Sequence, residues 1–484
     1  MKCSHSRIRK LLTLALIAPA SLAWTQPPDH GSSGRAGMST GTSAEQRQSS
    51  AMGTLPPLPE LPHGFMDAAS GSQIIEPGAQ ANYTLDYFLQ LAAANNPTIR
   101  QARRQISSET AKALQAGLYP NPVLMYVGEK INSDGRAGEF QGFELQQRFV
   151  TANKLQLSRL KYRQRAQVAD HLAIAQQYRV SNDIKKGFYQ TLAAWERAVI
   201  QRELLKSAED SSLTARELYN QGQTTVPGVR RANIELQQHR LDVLNAENEF
   251  AEAFRQLVAM VGCDLPLGWV DGTLRPEQTL PDFDSVYAEL IDNSPEVLAA
   301  RAKLASDYTT VRRESVQWIP DVIVQGGPGY NFSNYEPVYN ASVRMELPIH
   351  DWNQGTVLQA RSDLARQQEE IRRIELQLRD RLAMAYRVYA TSLQHATQYE
   401  HVIIPQRQQA YTELLQSYKE DRVDWPEVLE AQRDYFMARL EQIDYFRNVR
   451  TQETLIDGFM LQGGLMAAQA ATPPGHIDSV PKPR

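Results

Sequence analysis

The sequence is short of cysteine: its 484 residues include two, Cys3 and Cys263. That excludes a disulfide framework and a cysteine-based zinc site. No stretch of 18 apolar residues occurs, so no helix is expected to span a bilayer. Positive charge is not in excess: 51 Lys and Arg stand against 55 Asp and Glu, for a net charge of −4. No nucleic-acid partner is therefore expected. The nine histidines are scattered, and none falls into H-E-x-x-H or another ligand spacing, so no metal site is read. P-loop and G-x-G-x-x-G motifs are missing. Gly37-Met38-Ser39-Thr40-Gly41 fits G-x-S-x-G, but it sits in low-complexity sequence rather than between a strand and a helix. Nowhere do a nucleophile, a base and an orienting group converge. No catalytic residue and no cofactor are expected, and the chain is read as not an enzyme.

What is present begins with a secretory signal over 1–23. Lys2, Arg7, Arg9 and Lys10 precede the apolar run Leu11–Ala18, and Ser21-Leu22-Ala23 offers a small-x-small cleavage site. Its removal takes four positive charges and no negative ones, moving the net charge from −4 to −8. It also removes Cys3, which lies before the apolar run and is not placed to carry a lipid. Residues 24–80 are rich in Ser, Gly, Pro and Thr and read as an extended arm. Residues 466–484 read as a flexible tail.

Between these ends the chain repeats itself. Asn96-Pro97 matches Ser294-Pro295, Tyr119-Pro120 matches Ile319-Pro320, and Asn153 matches Asn353. Phe188 matches Tyr386, and Tyr219 and Pro227 match Tyr418 and Pro426, all at separations of 198 to 200 residues. The repeats are read as 81–265 and 281–465. Each holds a helix (about 84–117 and 284–317) and two strands (119–131 with 139–150, 319–331 with 337–349). A long helical stretch follows (153–220 and 353–420), then a tight turn and a returning helix (227–262 and 426–462). No proline interrupts 153–220, so at 1.5 Å per residue it predicts a rod of roughly 100 Å. Its apolar residues, Val168, Leu172, Ala175, Ile184, Phe188, Leu192, Trp195 and Val199, mark one narrow face. Val357, Leu364, Ile371, Leu378 and Leu382 do the same in the second rod. Pro405 is expected to kink or interrupt that rod.

The strands alternate strictly. Tyr339, Ala341, Val343, Met345, Leu347 and Ile349 alternate with Asn340, Ser342, Arg344 and Glu346. Phe143, Leu145 and Phe149 alternate with Glu144, Gln146 and Arg148. Such a pattern suits an antiparallel sheet on a soluble core. It equally suits barrel strands with apolar residues toward lipid and polar ones toward water. Segments of this length can cross a bilayer when tilted. Tyr330, Phe332, Tyr335 and Tyr339 gather as an interfacial aromatic belt would. Four strands cannot close a barrel, and open edges are not tolerated in hydrocarbon. On the membrane reading, therefore, several chains must share one barrel, and three would supply twelve strands.

Several residues carry a resemblance to the TolC family of outer-membrane efflux proteins over about 83–462. They are Leu91-Ala92 with Asn96-Pro97, Leu118-Tyr119-Pro120-Asn121-Pro122, Tyr219-x-x-Gly222, Ile404-Pro405, and Asp424-Trp425-Pro426-Glu427-Val428-Leu429-Glu430-Ala431-Gln432. The overall flavour is that of the heavy-metal efflux branch. The resemblance implies a mainly α fold with membrane β-barrel strands. Two structural repeats would each give two strands to the barrel and long antiparallel helices to a trimeric α-barrel tunnel. It implies a homotrimer in the cell outer membrane, in contact with lipid there, with a long periplasmic portion. It implies docking to a periplasmic adaptor protein and an inner-membrane pump of the resistance-nodulation-division type. The function it implies is a passive exit duct. A periplasmic coiled-coil scaffold and the outer duct of type I protein secretion stand as alternatives.

On this reading the lipid-facing residues are Tyr339, Ala341, Val343, Met345 and Leu347. The tips that would meet the adaptor are Gly222, Thr224, Thr225 and Val226 in the first repeat, and Asp421, Arg422, Val423 and Asp424 in the second. Asp421 departs from the family, which usually has glycine there. Thr225 also suits a helix cap. Glu427 and Glu430 lie on one face of a returning helix, where the resemblance implies acidic residues lining a periplasmic constriction. Asp424 with Glu427 equally reads as a capping arrangement.

Overall fold

The computed structural model describes residues 82–131, 138–276, 282–420 and 422–471. The signal segment, the arm, Asp421 and the end of the tail lie outside the described residues. All described residues belong to the unit Ile74–Arg484.

A short strand β1 (Asn82–Thr84) leads into helices α1 (Leu85–Asn95) and α2 (Pro97–Ala116). The single helix expected over about 84–117 is broken at Asn96. Its side-chain oxygen accepts from the Thr98 N–H at 2.9 Å, and its amide donates to the Met260 carbonyl at 2.7 Å. Pro97 follows at the first helical position, where a missing N–H costs nothing. Ser294-Pro295 makes the same break between α5 (Phe283–Asn293) and α6 (Pro295–Ser315).

Strands β2 (Val123–Glu129) and β3 (Phe140–Phe149) precede α3 (Lys154–Asn220), which runs 67 residues without interruption. At 1.5 Å per residue it is a rod of roughly 100 Å. It returns as α4 (Val226–Val261), and β4 (Trp269–Asp271) follows. The second copy gives β5 (Val322–Asn331), β6 (Glu336–Met345) and α7 (Gln354–Gln398). A π-helical turn (Tyr399–Ile403), α8 (Ile404–Lys419) and α9 (Trp425–Asp457) complete it. The interruption expected at Pro405 is this π-turn. Pro405 sits in the first turn of α8, and its missing N–H leaves the preceding carbonyls to wider bonding.

The repeat shows in detail at the start of each rod. Asn153 and Asn353 both hold left-handed backbone, with φ of 54° and 60°. Asparagine tolerates that conformation better than most residues. Asn353 donates to the Glu314 carbonyl at 2.9 Å.

Helices α2, α3, α6 and α7 pack side by side in that order, and toward the other end α3 packs on α4 and α9. The rod α3 is thus the common spine. Its stripe from Val168 to Trp195 is buried, while Val199 is half-buried. Phe88, Phe188, Phe254, Leu257 and Ile184 form the centre of the main core. The parallel pair β1·β4 closes over this core, with Tyr83 opposite Val270, both buried. In the second copy Leu378 and Leu382 are fully buried and Val357, Leu364 and Ile371 half-buried. The tail packs as far as Ala471, which is buried against Val168, Leu172 and Ala299.

Both strand pairs join in one antiparallel sheet of order β2-β3-β5-β6. Leu347, expected in the last strand, lies beyond it. Pairing ends at Met345 opposite Val322, where β5 begins, and the Ile349 N–H turns back to the Leu347 carbonyl at 2.9 Å.

Candidate functional site

The two ends of the molecule carry the features of interest. At the sheet, register fixes two faces. Leu124 pairs with Leu145, Leu145 with Gly326, and Gly326 with Ala341. By alternation Tyr126, Phe143, Val324, Tyr330, Tyr339 and Val343 share that face, with Phe149, Val322 and Met345 at its helical end. Apart from the half-buried Val322, these side chains are exposed, Tyr339 at 83% and Leu145 at 53%. Tyr330 and Phe332 stack edge to face at 4.9 Å. The opposite face carries Glu144, Gln146, Arg148, Gln325, Asn340, Ser342 and Arg344, with Val123, Met125, Val127, Ile323 and Val338 among them. The polar face is the more sheltered one along β3, where Phe140, Gly142 and Glu144 are buried while Phe143 and Leu145 are not. Both outer strands, β2 and β6, keep one unpaired edge among the described residues.

Where the sheet meets the rods, Asp321 binds three groups. Arg148 donates to it at 2.7 Å, Lys154 at 2.8 Å and the Thr151 N–H at 3.2 Å. Lys154 also reaches the Ile319 carbonyl. This clasp fixes both strand pairs to the start of α3.

At the far end are the two tips. In the first, Gly222 takes φ +73°, and the Gln223 N–H returns to the Leu218 carbonyl at 2.8 Å. That bond closes α3 in the manner of a Schellman turn. In the second, the Arg422 N–H makes the matching bond to the Ser417 carbonyl at 3.0 Å. The two tips are therefore closed alike on either side of Asp421, although the repeats differ there in sequence. Gly222, Thr225, Arg422 and Asp424 are exposed, and Thr224 and Val423 are half-buried. Val226, expected in the turn, is exposed but is already the first residue of α4.

Neither capping expectation holds. Thr225 and Asp424 stand at the N-cap positions of α4 and α9, but neither side chain makes a cap bond. Backbone carbonyls do the work instead: the Gly228 N–H reaches the Thr225 carbonyl at 2.9 Å, and the Glu427 N–H that of Asp424 at 3.1 Å. Glu427 and Glu430 are both exposed, three apart at the start of α9, with Val428 buried between them. Neither has an ionic partner among the described residues.

A polar bridge just above these carboxylates is not evident in the sequence. Gln432 of α9 accepts from the Ser207 hydroxyl of α3 at 2.6 Å and donates to the Tyr411 hydroxyl of α8 at 3.1 Å. Burial raises the Tyr411 phenol above its ordinary value. Trp425 donates to Ser211 at 3.4 Å and packs on Tyr418 at 4.8 Å. Helix α8 buries no side chain of its own, and Gln432–Tyr411 is joined in attaching it by Arg407, which donates to the Asp434 carbonyl at 2.6 Å. Higher up, Tyr399 in the π-turn donates to Glu441, which pushes its pKa up to about 12.

No family model matches the chain. It is 24% identical over 379 residues to the cobalt-zinc-cadmium resistance protein CzcC of Cupriavidus metallidurans, covering 77% of this chain and 89% of that one. Among solved structures it matches CusC, described as forming a transmembrane channel. The TM-score is 0.64 at 15% identity, over 80% of this chain and 96% of that one. The outer membrane protein VceC of Vibrio cholerae matches with a TM-score of 0.64 at 14% identity, over 78% of this chain and 96% of that one. The open state of the MtrE outer membrane channel of Neisseria gonorrhoeae gives 0.63 at 16% identity, over 79% and 89%. The chain has the fold that these three proteins share.

Proposed function

We propose that this chain, which has the fold of the TolC-family outer-membrane channels, is the outer-membrane exit duct of a tripartite efflux system. The observation that carries the reading is the sheet: an apolar face turned outward, a polar face more sheltered along β3 and β5, and two open edges, all set on a rod of roughly 100 Å. Open edges are not stable in hydrocarbon, so β6 of one chain pairs with β2 of the next. Such head-to-tail contacts close into a ring. Three copies give twelve strands and a homotrimer.

In that assembly Tyr339, Ala341, Val343 and Met345 face lipid. The helical tips at Gly222–Val226 and Arg422–Asp424 hang in the periplasm and meet the hairpins of an adaptor protein. An inner-membrane pump of the resistance-nodulation-division type supplies the energy, and this chain supplies the passage. Glu427 and Glu430, repeated around the axis, form carboxylate rings at the periplasmic mouth that attract cations. The CzcC relative supports divalent metal ions as cargo.

A strain lacking this chain tests the reading. It should accumulate zinc, cobalt or cadmium, and plasmid-borne chain should restore export only when adaptor and pump are also present. Unchanged metal content in the deleted strain would remove metal ions as cargo. Restoration without adaptor and pump would remove the tripartite arrangement.

A further inference from the structure

Among the carboxylates of the sheet, Glu144 is held in an unusual way. Its side chain lies on the polar face near the middle of β3 and is 6% exposed. Both its hydrogen-bond partners among the described residues are amides: Gln325 donates to one oxygen, and Asn340 to the other at 3.4 Å. The Gln325 amide is backed in turn by the Met125 sulfur at 3.7 Å. No cation pairs with Glu144 among the described residues. Of the described basic groups nearest in sequence, Arg148 and Lys154 are both committed to Asp321, at 2.7 and 2.8 Å. Arg344 shares the face, but its row is four residues nearer the helices. At about 3.3 Å per residue that is roughly 13 Å away, beyond a Debye length of ~8–10 Å.

The Phe140 ring lies across the inner face, where a Cβ at Gly329 would stand 2.1 Å from it. Glycine at that position lets the ring lie flat toward the hairpin end. Amide donors fix the direction of a carboxylate without neutralising it. Glu144 is thus a positioned negative charge on the polar wall.

We infer that Glu144 is a cation-selecting residue of the barrel interior, separate from the carboxylates at the helical tips. The inference rests on the exit-duct reading, which supplies the closed barrel. Twelve strands spaced ~4.8 Å apart and tilted ~40° enclose a bore with a backbone radius of roughly 12 Å. Side chains narrow it further. At physiological salt a field decaying over ~8 Å from three walls covers that bore, whereas at 1 M salt it reaches only ~3 Å. At the level of Glu144, hydrated mono- and divalent cations are favoured and anions disfavoured, most strongly at low ionic strength.

The test is single-channel recording of the full chain in planar phospholipid bilayers across a KCl gradient. To isolate Glu144, the background carries Glu427→Gln and Glu430→Gln. In that background the channel should prefer cations near 0.1 M salt, and the preference should fade near 1 M. Glu144→Gln, which keeps the shape and one of the two amide contacts, should lower the cation-to-anion permeability ratio at least about twofold near 0.1 M. Glu144→Asp should retain most of the preference. Channels whose reversal potential is unchanged by Glu144→Gln would overturn the inference and leave the duct intact. Failure of the parent chain to form channels or a heat-sensitive oligomer would overturn the duct reading, and the inference with it.

Discussion

Replacing Leu145 with arginine separates a lipid-facing sheet from a water-facing one. Leu145 is 53% exposed on the apolar face, near mid-strand, between Leu124 on β2 and Gly326 on β5. If that face meets hydrocarbon, an arginine near the bilayer midplane costs about 2–4 kcal/mol per chain. Since 1.4 kcal/mol is tenfold, the folded-to-unfolded ratio falls roughly 30- to 700-fold per chain, and the penalty recurs in every copy of a shared barrel. If the face meets water, a substitution at an exposed site lies within about 0.5 kcal/mol of neutral. Gln146→Arg is the control one residue away, because its side chain points to the polar face, where arginine costs little. The assay is the amount and thermal midpoint of the unboiled oligomer recovered from membranes. The account expects Leu145→Arg to abolish or sharply lower the oligomer and Gln146→Arg to leave it. Equal behaviour of the two variants would refute the assignment of faces.

Three further outcomes follow from the helical half. Gln432→Leu removes the bridge from Ser207 to Tyr411 and should weaken the attachment of α8 by about 1–3 kcal/mol; channel recordings should show a higher open probability. Glu196 lies among α3 neighbours where burial raises its pKa, opposed by Arg439. A raised folded-state value means that stability is greatest below the ordinary value of 4.5 and declines as pH rises through the folded value. Glu196→Gln should therefore stabilise at neutral pH and make no difference in acid, as read from melting midpoints. Replacing Glu427 and Glu430 together with glutamine should reduce block of the channel by divalent cations applied from the tip side.

Much of this arrangement is legible in the sequence, because the physics is local there. Strict alternation in β3 and β6 predicts their faces, since side chains on a strand change sides at every residue. Asn153 and Asn353 match in sequence and hold the same left-handed backbone at the head of each rod. The breaks at Asn96 and Ser294 were visible only as Pro97 and Pro295; the buried capping of Asn96 depends on Met260, far along the chain. The β1·β4 pair is too short to announce itself and forms because both strands cover one aromatic core. The π-turn places the interruption before Pro405 rather than at it. Asp424 and Thr225 show how a cap motif misleads when backbone carbonyls already satisfy the first turn. Gln432 and Glu144 carry no local signal, since their partners come from other elements.

The central claim is that several copies of this chain share one barrel in the outer membrane. Cell fractionation followed by an unboiled gel in mild detergent tests it most directly. The account predicts recovery with the outer membrane and a large oligomer that collapses to a 54.5 kDa species, or slightly less after signal removal, on boiling. A soluble periplasmic monomer would contradict it and return the chain to the class of helical scaffolds.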